Sequence, residues 1–417
     1  MAEIGVIGGG PAGMMAAITA AKAGSKVVLF EKKPRLGSKL RITGKGRCNI
    51  TSAEEDLQNF ISSYPGNGRF LFSALHEFSN YDLIRFLNGL GVETKVERGK
   101  RVFPVSDDAD EVVNALNSEL KRIGVRIRLS SEVEDVCVEG GRVTGIKAEG
   151  EFFPFDAIVI ATGGLSYPGT GSTGDGYRFA EKVGHKIITP FPGLVPLVVE
   201  EAWVKDLQGL SLKNVRAASY TMKGKKINEE FGEMLFTHYG LSGPIILSMS
   251  RDIVSCLREK GGKVKVFIDL KPALDEEKLD KRLQRDLAKY ARRRFKNGLD
   301  DLLPGKLIPV IINLSGIDKE KPCHQITREE RRRLLELLKN LNFTVNGTRP
   351  IAEAIVTAGG VNVKEINPKT MESKLIKGLF FAGEVIDVDG YTGGFNLQAA
   401  FSTGFVAGKY AHKINNR

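Results

Sequence analysis

Glu3-Ile-Gly-Val-Ile7, then Gly8-Gly-Gly-Pro-Ala-Gly13, then Met14-Met-Ala-Ala-Ile-Thr-Ala-Ala-Lys-Ala-Gly24, then Lys26-Val-Val-Leu-Phe30-Glu31: this opening stretch decides the fold. It reads as a short buried strand, a glycine turn, a small-residue helix, a second strand and an acid. The whole occupies ~30 residues, the length of a dinucleotide-binding βαβ unit. Gly8 permits the tight turn. Gly10 lets the backbone approach a pyrophosphate, with Pro11 and Ala12 opening the helix behind it. Gly13 lets the helix close on the strand. The helix N-terminus offers unpaired N–H groups and a positive dipole end to phosphate. Glu31 lies 23 residues after Gly8 and can accept hydrogen bonds from an adenosine ribose. A carboxylate there argues against a 2′-phosphate. Lys32 and Gly37, just beyond it, are assigned to the same site.

The other end of the chain chooses between dinucleotides. Gly378-Leu-Phe-Phe-Ala-Gly383-Glu384-Val-Ile-Asp387 reads as a strand ending in glycine and acid. Gly390-Tyr-Thr-Gly393-Gly394-Phe-Asn396-Leu397-Gln398 follows and opens a helix that runs to about Ala411. A second glycine-led helix N-terminus is a second cradle for anions or carbonyls. A nicotinamide dinucleotide does not need one, whereas a flavin, whose ring and ribityl chain lie far from the adenine, does. The third signal is Asp156-Ala-Ile-Val-Ile-Ala161-Thr162-Gly163-Gly164, a buried strand ending in ATGG. FAD is therefore expected. No His or Cys stands in an attachment motif, so it is expected to be noncovalent. Only one GxGxxG occurs, so NAD(P)H, if it reduces the flavin, visits transiently.

These three pieces resemble the glutathione-reductase-like FAD superfamily. By that resemblance Glu384 takes the place of the acid that contacts the ribityl chain, and the backbone of Val133 meets the adenine. Four further strings narrow it: Arg41-Ile-Thr-Gly44-Lys45-Gly46-Arg47-Cys48-Asn49-Ile-Thr51, Gly171-Ser-Thr-Gly-Asp-Gly176, Phe236-Thr-His-Tyr-Gly-Leu-Ser-Gly-Pro244 and Thr357-Ala-Gly-Gly-Val361. In this order, and over essentially the whole chain, they resemble the BaiN/RdsA-like family of NAD(P)/FAD-dependent oxidoreductases. The resemblance implies one of three activities: reduction of conjugated steroid enones, oxidation of small amino ketones, or reduction of a uridine in large-subunit ribosomal RNA. It fixes the cofactor better than the substrate.

The flavin-binding parts are expected at 1–191 and 350–417, with a substrate domain inserted at 192–349. Pro190, Pro192 and Pro196 mark the entry. A β-rich part, 192–272, is expected to be barrel-like. Leu212–Met222 with the Lys223-Gly-Lys-Lys turn reads as half a hairpin, and Lys263–Leu270 alternates with period two. A helical part, 273–340, follows, in which Leu279, Leu283, Leu287 and Ala291 recur every fourth residue. Asp275, Glu276 and Glu277 supply a negative first turn. The fold class is thus α/β, a Rossmann-like domain with an inserted β-plus-helical domain.

Among 417 residues, 61 Lys and Arg against 50 Asp and Glu leave a net charge of +11. Nine of those cations fall within 278–296, against only Asp280 and Asp286. Arg331-Arg-Arg333 adds to them on a second expected helix, Thr327–Leu341. The dense run suggests a polyanion partner such as RNA, through Arg285, Lys289, Arg292, Arg293 and Arg294. The bland alternative is a solvated helix face.

With 42% hydrophobic and 27% charged residues, the composition is that of an ordinary globular chain. No apolar stretch approaches the ~18 residues of a membrane span, and the amino terminus lacks the basic region of a signal peptide. A cytoplasmic location without membrane association is expected. The four cysteines, Cys48, Cys137, Cys256 and Cys323, have no CxxC spacing, so no metal site and no disulfide framework are expected. No Ser–His–Asp order, HExxH or paired-carboxylate motif supports hydrolysis. For redox chemistry the protein must supply binding, orientation and protons. Cys48, in the GKGRCN loop that should run along the flavin, is one possible acid. His238, in FTHYGLSGP, is the other. Lys45 and Arg47 can neutralise the pyrophosphate or a reduced flavin. The sequence leaves the oligomeric state open.

Overall fold

Short strands with apolar centres belong in a parallel sheet covered on both faces, and five short parallel strands form the centre of the computed structural model. It describes residues 1–260 and 262–414. The order across the sheet is Leu379–Phe381, Ala157–Ile160, Glu3–Ile7, Lys26–Glu31 and Arg126–Leu129, all parallel. Ile4 pairs with Ala157 on one side and Val27 on the other. Ala157–Ile160 is buried at every residue. Helix Pro11–Lys22 lies along helix Phe395–Ala411. Their backbones nearly touch: a Cβ on Gly404 would stand 2.3 Å from the carbonyl oxygen of Ala12, and one on Gly408 2.3 Å from that of Ala16. The alanine-rich stretch after Gly13 is thus a packing requirement. An antiparallel meander, Val133–Glu139, Arg142–Ala148 and Glu151–Pro154, completes the chain's crossing before it re-enters the central sheet.

By contacts the chain divides into two compact units, Met1–Gly193 with Ile351–Arg417, and Leu194–Pro350. The second is built on a closed antiparallel barrel of six strands. Around it the order is Leu197–Val199, Gly240–Ser242, Lys226–Phe236, Ser211–Thr221, Val264–Asp269 and Leu341–Thr348, closed by pairing of Leu197 with Thr348. The half-hairpin read at 212–222 is the first arm of a true hairpin, turning at 222–225. Alternation in Val264–Asp269 is real: Val264, Val266 and Ile268 point inward. Between the last two barrel strands lie helices Glu276–Lys289, Leu307–Ser315 and Arg328–Lys339.

Two helix boundaries differ from the sequence reading. Leu279, Leu283 and Leu287 are buried as the stripe requires, but the helix ends at Lys289. Ala291 and the three arginines after it lie beyond it. The cause is tertiary. Cys323 N–H bonds the Arg293 oxygen at 2.9 Å and Phe295 N–H bonds that of Lys321 at 2.8 Å, so the chain turns after the helix and Arg294 bridges to Pro322. The second helix stops at Lys339 because Leu341 already belongs to a barrel strand; its start is fixed by a capping box between Thr327 and Glu330. Among the described residues no helix is long and apolar enough to cross a membrane.

Candidate functional site

The first glycine turn separates into positions that the protein itself demands and one that it leaves open. Gly8 has φ +105°, and a Cβ there would lie 2.4 Å from the Ala161 oxygen. A Cβ on Gly13 would lie 1.9 Å from the Gly8 oxygen. At Gly10 a Cβ would meet no atom within 4 Å. Gly10 is also the N-cap of helix Pro11–Lys22 and carries no side-chain cap. The N–H groups of the first turn therefore face a space shaped for a phosphate. Gly37 N–H bonds the Gly9 oxygen at 2.9 Å, which brings the next loop against the turn.

Glu31 ends its strand beside that turn. Its Oε2 accepts from Gly9 N–H and its Oε1 from Lys33 N–H, each at 2.7 Å. Each oxygen keeps acceptor capacity for a ribose hydroxyl. Burial raises the pKa of the carboxyl, and the two N–H bonds work against that rise. Lys32 turns elsewhere: its ammonium pairs with Asp175 at 2.5 Å and bonds Thr173, pinning the GSTGDG loop. Two buried hydroxyls, Ser131 Oγ and Thr162 Oγ1, have no partner among the described residues. Ser131 N–H bonds the Glu31 oxygen and precedes Val133 by two residues, and Thr162 belongs to Ala161-Thr-Gly163-Gly164. An orphaned buried hydroxyl costs roughly 1–3 kcal/mol, so a pair of them on these segments fits a bound dinucleotide.

The GKGRCN loop is pinned from within the same unit. Gly44 and Lys45 are left-handed, with φ +58° and +61°, and Lys45 is exposed. The Arg47 guanidinium is engaged by Asp107 at 2.6 Å and by Glu97, and lies 4.2 Å over the Phe103 ring. Its charge is thus held by carboxylates of the protein rather than offered to a phosphate. Cys48 has φ +59° and is fully buried. Burial pushes its thiol up to about 12. With its amide oriented to satisfy its neighbours, Asn49 donates to the Thr51 and Val102 oxygens and accepts from Gly394 N–H at 3.1 Å. It thereby ties this loop to the C-terminal glycine turn.

In that second turn, Gly393 and Gly394 have φ +128° and +95°, and Gly394 is the N-cap of helix Phe395–Ala411. Asn396 bonds both the N–H and the oxygen of Gly390 at 2.8 Å, closing the loop. Leu397 is half-buried. Gln398 is fully buried and saturated by Thr51, Ser402 and the Phe78 oxygen, so it organises the helix from inside. Asp387 accepts from the Asn67 amide at 2.9 Å. Gly383 N–H bonds Thr403 Oγ1, and a Cβ on Gly383 would lie 2.8 Å from that of Ala12. Glu384 is a hub. Its carboxylate pairs with Lys39 at 2.7 Å and accepts from Ser166 Oγ at 3.0 Å and from Thr357 N–H at 2.7 Å. Lys39 also donates to Ser166 Oγ at 2.6 Å. Lys39 and Ser166 were not legible as site residues. Thr357 lay in a quoted motif that gave it no role.

In the second unit, His238 sits exposed on the tight turn between barrel strands Lys226–Phe236 and Gly240–Ser242, its ring against Tyr239. Most cations of the 278–296 run have carboxylate partners. Lys289 pairs with Asp301 at 2.6 Å, Arg282 with Asp286 at 2.6 Å, Arg285 with Asp286 at 3.6 Å, and Arg294 and Lys296 share Glu320. Asp301 and Glu320 come from outside the run, so its excess charge is lower in space than along the chain. Arg292 and Arg293 are exposed and make no ion pair among the described residues. No group of three or more potential metal ligands occurs among the described residues.

Two glycine-led helix N-termini on helices packed side by side, a second strand that ends in an acid and a covered parallel sheet are the fold of an FAD-dependent oxidoreductase. The chain belongs to the family described as HI0933-like protein Rossmann domain, which matches residues 2–410. This agrees with the BaiN/RdsA-like resemblance of its motifs. It is 34% identical over 414 residues to the 3-dehydro-bile acid delta(4,6)-reductase of Clostridium scindens, covering 99% of both chains. It is 32% identical over 405 residues to the ribosomal RNA dihydrouridine synthase of Haemophilus influenzae, covering 96% of both. Among solved structures, 3-ketosteroid delta1-dehydrogenase from Sterolibacterium denitrificans aligns with a TM-score of 0.56 at 14% identity, over 99% of this chain and 100% of that one. A flavocytochrome c3 fumarate reductase aligns at 0.53 and 17%, over 99% of this chain and 78% of that one. Those two likenesses concern the fold alone.

Proposed function

We propose that the protein reduces a carbon–carbon double bond conjugated to a carbonyl, with NAD(P)H as electron donor and a uridine of large-subunit ribosomal RNA as substrate. Both relatives support the shared step. A 3-keto steroid with unsaturation at positions 4 and 6, and a uracil ring with C5=C6 beside C4=O, are both vinylogous carbonyls. One observation carries the choice of RNA. Residues 194–350 hold 30 Lys and Arg against 21 Asp and Glu, which is +9 of the chain's +11. That balance already counts every internal ion pair. A unit that must meet a polyanion is expected to carry such an excess; a bile acid, with a single carboxylate, calls for one cation rather than nine. The steroid-like small molecule remains a second reading, favoured by the similarity to the bile acid reductase. For amino ketone oxidation no feature of the fold speaks.

FAD, when bound, supplies hydride chemistry. The chain's own residues do the rest. The open N-terminus at Gly10–Gly13 takes the pyrophosphate, and Glu31 the adenosine ribose. Glu384, oriented by Lys39, Ser166 and Thr357, would accept from the ribityl hydroxyls. Val133, Ala161–Gly164 and Gly393–Leu397 line the same dinucleotide. The substrate carbonyl needs a donor and its α-carbon a proton. Cys48 keeps its proton at neutral pH but is sealed in the core, whereas His238 is exposed. Cys48→Ser and His238→Asn variants apportion that role by their pH–rate profiles.

Nucleoside analysis of ribosomal RNA from cells lacking this protein tests the reading. Loss of one dihydrouridine from the large subunit is expected, restored by the wild-type gene. Unchanged dihydrouridine, together with turnover of a 3-keto-4-ene steroid by the purified enzyme, would transfer the assignment to the small-molecule reading.

A further inference from the structure

The basic run does not act as one surface. Its members divide by whether the fold has already given them a carboxylate. Lys289, Arg294 and Lys296 are paired with Asp301 or Glu320. Arg292 and Arg293 are exposed and without an ion pair among the described residues, and so is Arg328 at the start of the helix Arg328–Lys339. The fold brings the segment that leads into Arg328 against the one that carries Arg292 and Arg293. Residues 291–295 run antiparallel to 321–324: His324 N–H bonds the Ala291 oxygen at 3.2 Å and Cys323 N–H that of Arg293 at 2.9 Å. The chain then passes through the Thr327 cap directly into Arg328. Exposed His324 lies between them, its Nδ1 2.7 Å from the Ala291 oxygen.

We propose that Arg292, Arg293 and Arg328 form a phosphate-contact cluster for structured RNA, and that their paired neighbours contribute little. This rests on the RNA reading above and deepens it. An unpaired, exposed guanidinium meets a phosphate without first giving up a carboxylate, and its fork suits two phosphate oxygens at once. A paired one must exchange one anion for another, which releases fewer counterions. The cluster reads no bases. Tyr290, beside it, has the Lys289 ammonium at 5.0 Å and the Arg293 guanidinium at 4.9 Å from its centroid, and its hydroxyl donates to Asp301 at 2.6 Å. Two cations and a carboxylate thus already engage this ring, which makes it a poor platform for a stacked base. The contacts are therefore independent of sequence and fix position rather than identity.

The experiment measures affinity of the FAD-loaded protein for a large-subunit ribosomal RNA fragment across a salt series. For Arg292→Gln/Arg293→Gln/Arg328→Gln, the slope of log affinity against log salt should flatten by about 2–3, that is ~0.7–0.9 per lost contact. Arg292→Lys/Arg293→Lys/Arg328→Lys should keep most of the slope. Lys289→Gln/Lys296→Gln should flatten it by less than one contact's worth. Flavin absorbance and melting temperature report that each variant is folded. An unchanged slope in the triple Gln variant, with wild-type protein binding RNA strongly, overturns the cluster and leaves the RNA reading standing. A wild-type affinity for RNA that is weak and insensitive to salt overturns both.

Discussion

In the flavin unit 31 lysines and arginines stand against 29 aspartates and glutamates; in the inserted unit 30 stand against 21. The pairs also serve different ends. In the flavin unit several join segments far apart in sequence and hold a loop in place: Lys39 to Glu384, Lys32 to Asp175, Arg47 to Asp107 and Glu97. In the inserted unit many lie within one helix or between neighbouring turns and are largely exposed, such as Lys281 with Glu277 and Arg332 with Glu336. Exposed pairs of that kind are worth about 0–1 kcal/mol. Charge in the first unit is architecture, set to hold a cofactor in one place. Charge in the second is an excess that the fold does not consume.

The strongest test of the architectural side is steric. Gly13→Val places side-chain carbons where the Gly8 oxygen already lies. It should cost about 3 kcal/mol or more and yield protein without flavin absorbance. Retained FAD would mean that the turn can relax, and that the first unit is less rigid than the comparison requires.

Next in size is Glu31→Ala. It removes the acceptor of two backbone N–H groups and, on the proposed reading, of a ribose hydroxyl. FAD affinity for the apoprotein should fall about 10–150-fold, the equivalent of roughly 1.5–3 kcal/mol. The rate of chemical reduction of any FAD that does bind should not change. Full occupancy at low flavin would remove Glu31 from the ribose.

Lys39→Met leaves the Glu384 carboxylate with one hydroxyl and one N–H but no cation. Both partners keep about a fifth of their side-chain surface exposed, so the expected loss in FAD affinity is smaller, about 1–2 kcal/mol. Flavin fluorescence quenching on titration into apoprotein measures it. No loss at all would make Lys39 a surface cation like those of the other unit.

A subtler effect lies in alkaline solution. The Cys48 thiol is raised from near 9 in the open chain to about 12 in the fold. Because the folded pKa is the higher one, its contribution to stability is intact below pH 9 and fades as pH climbs from 9 toward 12. Cys48→Ala should flatten that limb of a stability–pH curve, read by denaturant melts at a series of pH values. The smallest effect is expected across the divide: Arg292→Gln should change stability by less than about 0.5 kcal/mol.

The contrast also explains what could be read in advance. The tight turn at Gly8–Gly13 and the strand that ends in Glu31 were legible because such a unit is local: spacing along the chain is spacing in space. The period-two strands and the Leu279/Leu283/Leu287 stripe were legible for the same reason. Lys39 and Ser166 were not, since they meet Glu384 across 345 and 218 residues with no periodicity to announce it. The helix end at Lys289 was missed because Ala291 continues the apolar spacing, while the bridge to 321–323 that ends the helix comes from a remote segment. The same remoteness hid Asp301 and Glu320, which take up charges that looked unopposed in the linear count. Arg47 looked like a phosphate ligand until Glu97 and Asp107 were seen beside it.

The barrel closes where its chain enters and leaves: Leu197 pairs with Thr348. In the flavin unit the flanking residues also pair, Gly193 with Val356, in an antiparallel ladder. Residues 194–350 are thus an excursion from the mouth of a hairpin, 157 residues long. Closing that hairpin over a structureless loop of such length would cost about 3 kcal/mol more in chain entropy than closing it over a four-residue turn. A barrel that joins its own ends removes most of that penalty before the ladder forms. For the ribosome-bound nascent chain this sets an order of events: the strand after Pro350 finds its partner readily only once the barrel has closed. For the lineage it means that the excursion can be shortened, exchanged or grafted at two adjacent peptide bonds, with the ladder beneath left in register.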